Sequence, residues 1–101
     1  MDKKTYYSTV ACIKKRLKLE YPVYVHRTKM PKDYLGDCNF YKDKKCFVIR
    51  IEKRIPYGWA LDIFAHEAGH CISFFSKDKK DHGRSWAIAY ARVYEMLFEE
   101  N

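Results

Sequence analysis

The residues best suited to chemistry are His66, Glu67 and His70, which form the pattern H-E-x-x-H. On an α-helix, residues four positions apart lie one above the other, so His66 and His70 can reach a single metal ion. Glu67 projects at an angle to both, where its carboxylate can contact a water on that ion and act as a base. The pattern therefore supplies two of the three protein ligands that catalytic zinc sites use.

The apolar spacing predicts that this stretch is a helix. Apolar side chains recur every three or four positions, as expected for one buried stripe. They are Leu61, Ala65, Ala68, Ile72 and Phe75. The histidines lie on another face, so one side can face the core and the other a cleft. Gly69 lowers helix propensity by about 1 kcal/mol relative to alanine, and we expect a neighbouring segment to approach the helix closely there.

A third ligand is required, and three arrangements can be tested downstream of the motif. Ser73 and Ser76 stand where the metzincin pattern has glycine and histidine, so that pattern is excluded. Glu95, on a following helix, is a gluzincin-like candidate. His82 is favoured, because the polar run before it ends the helix and Gly83 allows a tight turn back to the ion. In the alternative interpretation, the motif histidines are ordinary surface or core groups.

The remaining pattern predicts one α+β domain over residues 1–101. Its expected elements, besides the motif helix, are a helix at 4–20, strands at 23–27, 36–41 and 46–52, and a helix at 84–99. The last two strands flank a polar turn, and their hairpin predicts a small antiparallel sheet. In the third strand, alternation predicts one buried face, with Phe47, Ile49 and Ile51, and one more exposed face, with Val48, Arg50 and Glu52. Trp86, in the last helix, is expected to pack beneath the loop that carries His82.

The chain is basic, with 20 lysines and arginines against 13 acidic residues and a net charge of +7. A basic surface favours polyanions and predicts salt-dependent association with nucleic acid. The alternative is that scattered lysines serve only solubility. No apolar run approaches the length of a membrane span or a signal peptide, so an intracellular location is expected.

The four cysteines form no C-x-x-C pair, which argues against a zinc ribbon. In a reducing compartment they are expected to remain free thiols. Cys38 and Cys46 flank the predicted hairpin and are the pair that could face each other across it.

In combination, these motifs resemble the SprT-like family of zinc metallopeptidases. The resemblance rests on H-E-x-x-H, a loop of about a dozen residues and then His-Gly-x-x-aromatic at 82–86, preceded by Leu-Gly-Asp-Cys at 35–38, a hairpin and a strand. It implies a zincin-like fold, with His66, His70 and His82 as Zn²⁺ ligands and Glu67 as general acid and base. It also implies that substrate adds as a further strand to an edge strand beside the motif helix. SprT-like proteins often carry a further zinc-binding or DNA-binding segment, and this chain is expected to be a minimal version without one.

The expected function is that of a zinc-dependent metalloendopeptidase, a monomer that hydrolyses protein or peptide substrates with a zinc-bound water and acts on DNA-associated proteins. Asp62 is a candidate to brace an imidazole, and Tyr90 or Tyr94 to donate to a developing oxyanion. Two other classes stay open. One is a nucleic-acid-associated module with a structural metal, and the other is a protein-interaction module that keeps the motif as a relic.

Overall fold

The computed structural model describes residues 1–76 and 82–98, which form three helices and a three-stranded sheet. The elements in chain order are α1 (Lys3–Leu17), β1 (Val23–Thr28), β2 (Gly36–Tyr41), β3 (Cys46–Glu52), α2 (Tyr57–Ser73) and α3 (Arg84–Phe98). The α+β class is confirmed. The predicted polar run that ends the motif helix lies at 76–81, and its residues 77–81 fall outside the described part.

Helix α1 begins and ends at residues with clear local roles. The Asp2 carboxylate accepts a hydrogen bond from the Thr5 backbone N–H at 2.8 Å, and this capping bond lowers the pKa of Asp2. The helix ends at Leu17, where the C-cap residue Lys18 is left-handed with φ of 49°, so it ends earlier than the predicted 4–20. Its buried face is formed by Tyr6, Val10 and Ile13.

The sheet is mixed, and the prediction of an antiparallel sheet is wrong for one of its two strand pairs. The order is β1-β3-β2, with β2 antiparallel to β3 and β1 parallel to β3. The segment between β1 and β2 passes the end of the sheet at which β3 finishes. The chain then returns through the hairpin, and β3 lies between β1 and β2. The predicted buried face of β3 is confirmed, because Phe47, Ile49 and Ile51 are all buried. On the other face Val48 and Arg50 are half-buried, but the prediction is wrong for Glu52, which is also buried.

A buried carboxylate holds that crossing. Glu52, the last residue of β3, accepts hydrogen bonds from the backbone N–H groups of Met30 and Arg54, both at 2.9 Å. The Arg54 guanidinium also donates to both carboxylate oxygens. These hydrogen bonds hold the pKa of Glu52 well below its usual range, and the Arg54 side chain makes the largest contribution.

Helix α2 packs one face on the sheet and another on α3. Leu61, Ala65 and Ala68 of the predicted stripe are buried, and Ile72 is half-buried. Phe75 is 63% exposed, and its place in the stripe is wrong because α2 ends at Ser73. Beyond the helix, Phe75 contacts other aromatic rings, including that of Phe40 at 5.3 Å.

The cysteines pair differently from the expectation. Cys38 does not face Cys46, because the strand register sets Cys38 opposite Ile49 and Cys46 opposite Tyr41. The Sγ atom of Cys38 lies 2.8 Å from Sγ of Cys71 instead. All four cysteines are free thiols.

Candidate metal centre

Helix α2 carries the first two histidines on consecutive turns. The ring centroids of His66 and His70 are 5.1 Å apart, and both side chains are half-buried. This is the relation that the i, i+4 spacing predicts. The apolar face of the helix is anchored in the core, so the polar face is held at the surface of the domain.

The third histidine comes from the chain just before α3. His82 Nε2 lies 3.0 Å from Nε2 of His66 and 3.1 Å from Nε2 of His70. His82 itself is left-handed, with φ of 58°, whereas no glycine in the described residues has a positive φ. The prediction that Gly83 makes the turn is therefore wrong in detail, because His82 adopts the special backbone conformation.

The three nitrogen atoms are arranged to hold one cation. The His66, His70 and His82 ligand atoms all lie within 4.8 Å of one another, and within 1–76 and 82–98 this is the only such group of histidine, cysteine and acidic residues. Nitrogen ligands about 2.1 Å from a tetrahedral zinc would be about 3.4 Å apart, close to the spacings observed. Glu95 is exposed on α3 and is not part of the group, so it is not brought to the centre.

Glu67 is buried next to the histidines and faces a cavity. Glu67 is only 7% exposed, and its Oε2 atom lies 4.0 Å from Nε2 of His66. The cavity, of about 570 Å³, has Glu67 and the three histidines among its lining residues. A carboxylate in this position can exchange a proton with a molecule held beside the imidazoles.

The opposite wall of the cavity is β2, and a glycine sets its distance from α2. Gly36, Asp37 and Cys38 line this wall. A Cβ at Gly36 would lie 2.6 Å from Ile63 Cγ2 and 3.6 Å from Glu67 Cγ. The absence of a side chain therefore lets the strand approach the motif helix. From the sequence, Gly36 was noted only as part of the resemblance, and this packing role was not predicted.

Trp86 contacts all three imidazoles, as its predicted position beneath the ligand loop implies. Its ring centroid is 4.6 Å from that of His82, 4.9 Å from that of His66 and 5.6 Å from that of His70. Its Nε1–H donates to the His66 carbonyl oxygen at 3.1 Å. One side chain thus links the third histidine to the helix that carries the other two.

Gly69 makes the contact between α2 and α3 possible. A Cβ there would lie 3.0 Å from Trp86 Nε1 and 3.2 Å from the Tyr90 backbone nitrogen. The expectation that a neighbouring segment approaches Gly69 closely is confirmed. Glycine lowers the helix propensity at this position, but its lack of a side chain allows the close packing that brings Trp86 under the imidazoles.

The remaining predicted contributors lie at the margin of the site. Asp62 is exposed. Burial raises the pKa of Tyr90, and the negative charge of Asp62 raises it further. The Tyr90 ring is 6.0 Å from that of His66, whereas the described ring contacts of Tyr94 are with Tyr90 and Phe98. Tyr90 is therefore the nearer of the two tyrosine candidates.

The charged surface is described only in part. Lys42, Lys44 and Lys45 are exposed in the turn between β2 and β3, while the lysines at 77, 79 and 80 lie outside the described residues.

Over the part of the chain that the structure covers, no helix has the length and apolar character needed to span a bilayer.

Comparison with known proteins gives no relative from which a role could be carried over. No family model matches the chain. Neither a curated protein nor a solved structure matches it significantly. The site consists of three convergent imidazoles beside a buried carboxylate, and these side chains line a cavity that β2 also lines.

Proposed function

We propose that this protein is a zinc-dependent metallopeptidase with a zincin-like, SprT-like catalytic site. His66, His70 and His82 would hold the ion, and Glu67 would be the general base. The observation that carries the proposal is the meeting of three Nε2 atoms, at separations of 3.0 and 3.1 Å from that of His82, beside a buried glutamate.

The donor set fits zinc in type and in number. Neutral imidazole nitrogen is a preferred ligand of Zn²⁺, and three protein ligands leave one position open, as in catalytic rather than structural zinc sites. When bound, the ion would supply Lewis acidity, polarising a substrate carbonyl and lowering the pKa of water from 15.7 to about 7.

Glu67 is suited to the proton transfers of amide hydrolysis. Its carboxylate would take a proton from the attacking water and return it to the leaving amine. The carboxylate is buried beside the imidazoles, and Trp86 donates a hydrogen bond to the main chain of the adjacent His66. Glu67 thus combines burial next to the imidazoles with access to the cavity.

An extended peptide is the substrate shape that the cavity wall favours. Strand β2 lies at one edge of the sheet, since the order is β1-β3-β2. An edge strand offers free N–H and C=O groups to which a peptide can add as a further strand. A peptide added to β2 would run along the same cavity that the histidines line.

Cleavage of an unstructured protein tests the proposal. Purified protein with one equivalent of zinc is expected to cleave it, a chelator to stop cleavage, and added zinc to restore it. His82→Ala is expected to be inactive, whereas Glu95→Gln, which changes the rival candidate ligand on α3, is expected to retain full activity. Cleavage that persists in the chelator, or in His82→Ala, would contradict the proposal.

The net charge of +7 favours one other candidate, a nucleic-acid-associated module in which the metal is structural. The two candidates differ at Glu67. If the metal is structural, neither the natural chain nor Glu67→Gln would cleave protein, and both would bind DNA equally. If the metal is catalytic, the natural chain would cleave protein and Glu67→Gln would not. Repeating the cleavage assay with and without DNA, at two salt concentrations, shows whether DNA association and proteolysis belong together.

A further inference from the structure

Two thiols from distant parts of the chain meet at the wall of the cavity. Cys38, in the middle of β2, and Cys71, which follows His70 in α2, are 33 positions apart in sequence. Their Sγ atoms are 2.8 Å apart. Cys38 is half-buried and lines the cavity, whereas Cys71 is buried. The metallopeptidase proposal uses neither thiol.

We propose that Cys38 and Cys71 are a reversible redox site, in which oxidation forms a disulfide that joins the cavity wall to the motif helix. The sulfur atoms would need to approach by only about 0.8 Å to reach the disulfide bond length of about 2.05 Å. The thiols lie on regular elements that already pack together, so no segment has to refold.

The oxidation is chemically balanced with a peroxide as the oxidant. The sulfur of Cys38, reached through the cavity, attacks one peroxide oxygen, and the O–O bond breaks to give a sulfenic acid and water. The Cys71 sulfur then attacks the Cys38 sulfur, so that the S–O bond breaks, the S–S bond forms and a second water leaves. Two thiols and one hydrogen peroxide thus give one disulfide and two waters. A dithiol reductant restores both thiols by exchange.

The other two cysteines provide internal controls. Cys12 is exposed on α1, and Cys46 is buried at the start of β3. Exposure alone would direct oxidation to Cys12, and neighbourhood in the hairpin would pair Cys38 with Cys46. The geometry predicts neither product, because only Cys38 and Cys71 have their sulfur atoms within bonding reach among the described contacts.

The disulfide is expected to stabilise the chain. It would close a loop that contains β3 and most of α2, and cross-links over loops of this length restrict the unfolded chain substantially. The expected rise in Tm is roughly 10 °C or more. This readout and the thiol count need neither bound metal nor catalysis, so their failure is distinguishable from failure of the proposed function.

The test is mild oxidation of the full chain with a small excess of hydrogen peroxide. We expect two of the four thiols to disappear, a Cys38–Cys71 cross-linked peptide in a non-reducing tryptic digest, and reversal by dithiothreitol with a matching fall in Tm. Cys12→Ser is expected to behave as the natural chain, and Cys38→Ser and Cys71→Ala to form no intramolecular disulfide. Retention of four thiols, a Cys38–Cys46 product, or an intermolecular product only would overturn the proposal. The wild-type digest decides even if a variant at buried Cys71 folds poorly.

Discussion

Glu52 and Glu67 are the two buried charged residues in the described part of the chain, and their surroundings differ. They are exposed to similar extents, 4% and 7%. Glu52 lies at the end of β3 and accepts hydrogen bonds from two backbone N–H groups and an arginine side chain. Glu67 lies in α2 beside His66 and lines the cavity.

The comparison shows that burial does not by itself assign a role to a carboxylate. Donors that converge on Glu52 hold the crossing between β1 and β2, and they keep it ionised. Glu67 has ring nitrogens and open space next to it, which suit proton exchange with a bound molecule. We therefore expect Glu52 to stabilise the fold and Glu67 to act in chemistry, and the following experiments test that division.

The largest expected effect is on catalysis. Glu67→Gln removes the base while keeping the shape of the side chain, so kcat/KM for peptide cleavage is expected to fall by about 10²–10⁴-fold. The matched change, Glu52→Gln, is expected to lower the Tm by several degrees and leave the activity of the folded protein unchanged. Cleavage assays and thermal unfolding of both variants make the measurement. Equal losses of activity in the two variants would remove the distinction between them.

Two glycines in α2 differ in their surroundings: Gly69 packs against α3 near the site, and Gly58 faces open space. Gly69→Ala gains helix propensity of about 1 kcal/mol but overpacks against Trp86 and the Tyr90 backbone, at a cost of about 1–3 kcal/mol. We expect net destabilisation and weaker metal binding. A Cβ at Gly58 would meet no atom within 4 Å, so Gly58→Ala is expected to stabilise the protein by up to about 1 kcal/mol.

Denaturant unfolding of both glycine variants measures the difference. The close approach of α3 to α2 is the reason for expecting opposite signs. Stabilisation of similar size at both positions would mean that α3 does not pack tightly against Gly69.

Trp86→Phe sharpens the description of the site at a smaller scale. The change keeps an aromatic ring near the imidazoles but removes the Nε1–H donor to the His66 carbonyl. The free energy of unfolding is expected to fall by about 1–2 kcal/mol, and metal affinity by about 10-fold, because His66 and His82 are less well held. Titration calorimetry with zinc gives the affinity, and Trp59→Phe on the exposed start of α2 is the control. Unchanged affinity in Trp86→Phe would show that this side chain does not position the ligands.

The smallest expected effect is the pH dependence at Glu52. Its folded-state pKa is depressed below the unfolded value, so its stabilising contribution is present above about pH 4.5 and is lost as the pH falls below that value. The Tm difference between the natural chain and Glu52→Gln is therefore expected to narrow between pH 5 and 3. A constant difference would mean that the charge of Glu52 does not matter.

Local patterns predicted the parts of the fold that local physics decides. The spacing around the motif predicted that α2 carries His66 and His70 on one face, and alternation predicted the buried side of β3. The parallel pairing of β1 with β3 was missed, because strand-forming residues do not specify a partner and the hairpin signal concerns only β2 and β3.

Contacts between distant segments account for the other misses. The Cys38–Cys71 pair is 33 positions apart, and no spacing rule connects a strand with a later helix. The role of Gly36 was also hidden, since its neighbours Ile63 and Glu67 come from α2. The backbone conformation of His82 was assigned to the adjacent Gly83 because glycine ordinarily adopts positive φ.

Metal content is the measurement that tests the central claim most directly. Native mass spectrometry and zinc titration of the natural chain are expected to give one tightly bound ion. His82→Ala is expected to weaken binding by at least about 100-fold, while Glu95→Gln leaves it unchanged. If the natural chain bound no ion, or if His82→Ala held one as tightly, the three imidazoles would not form a metal centre.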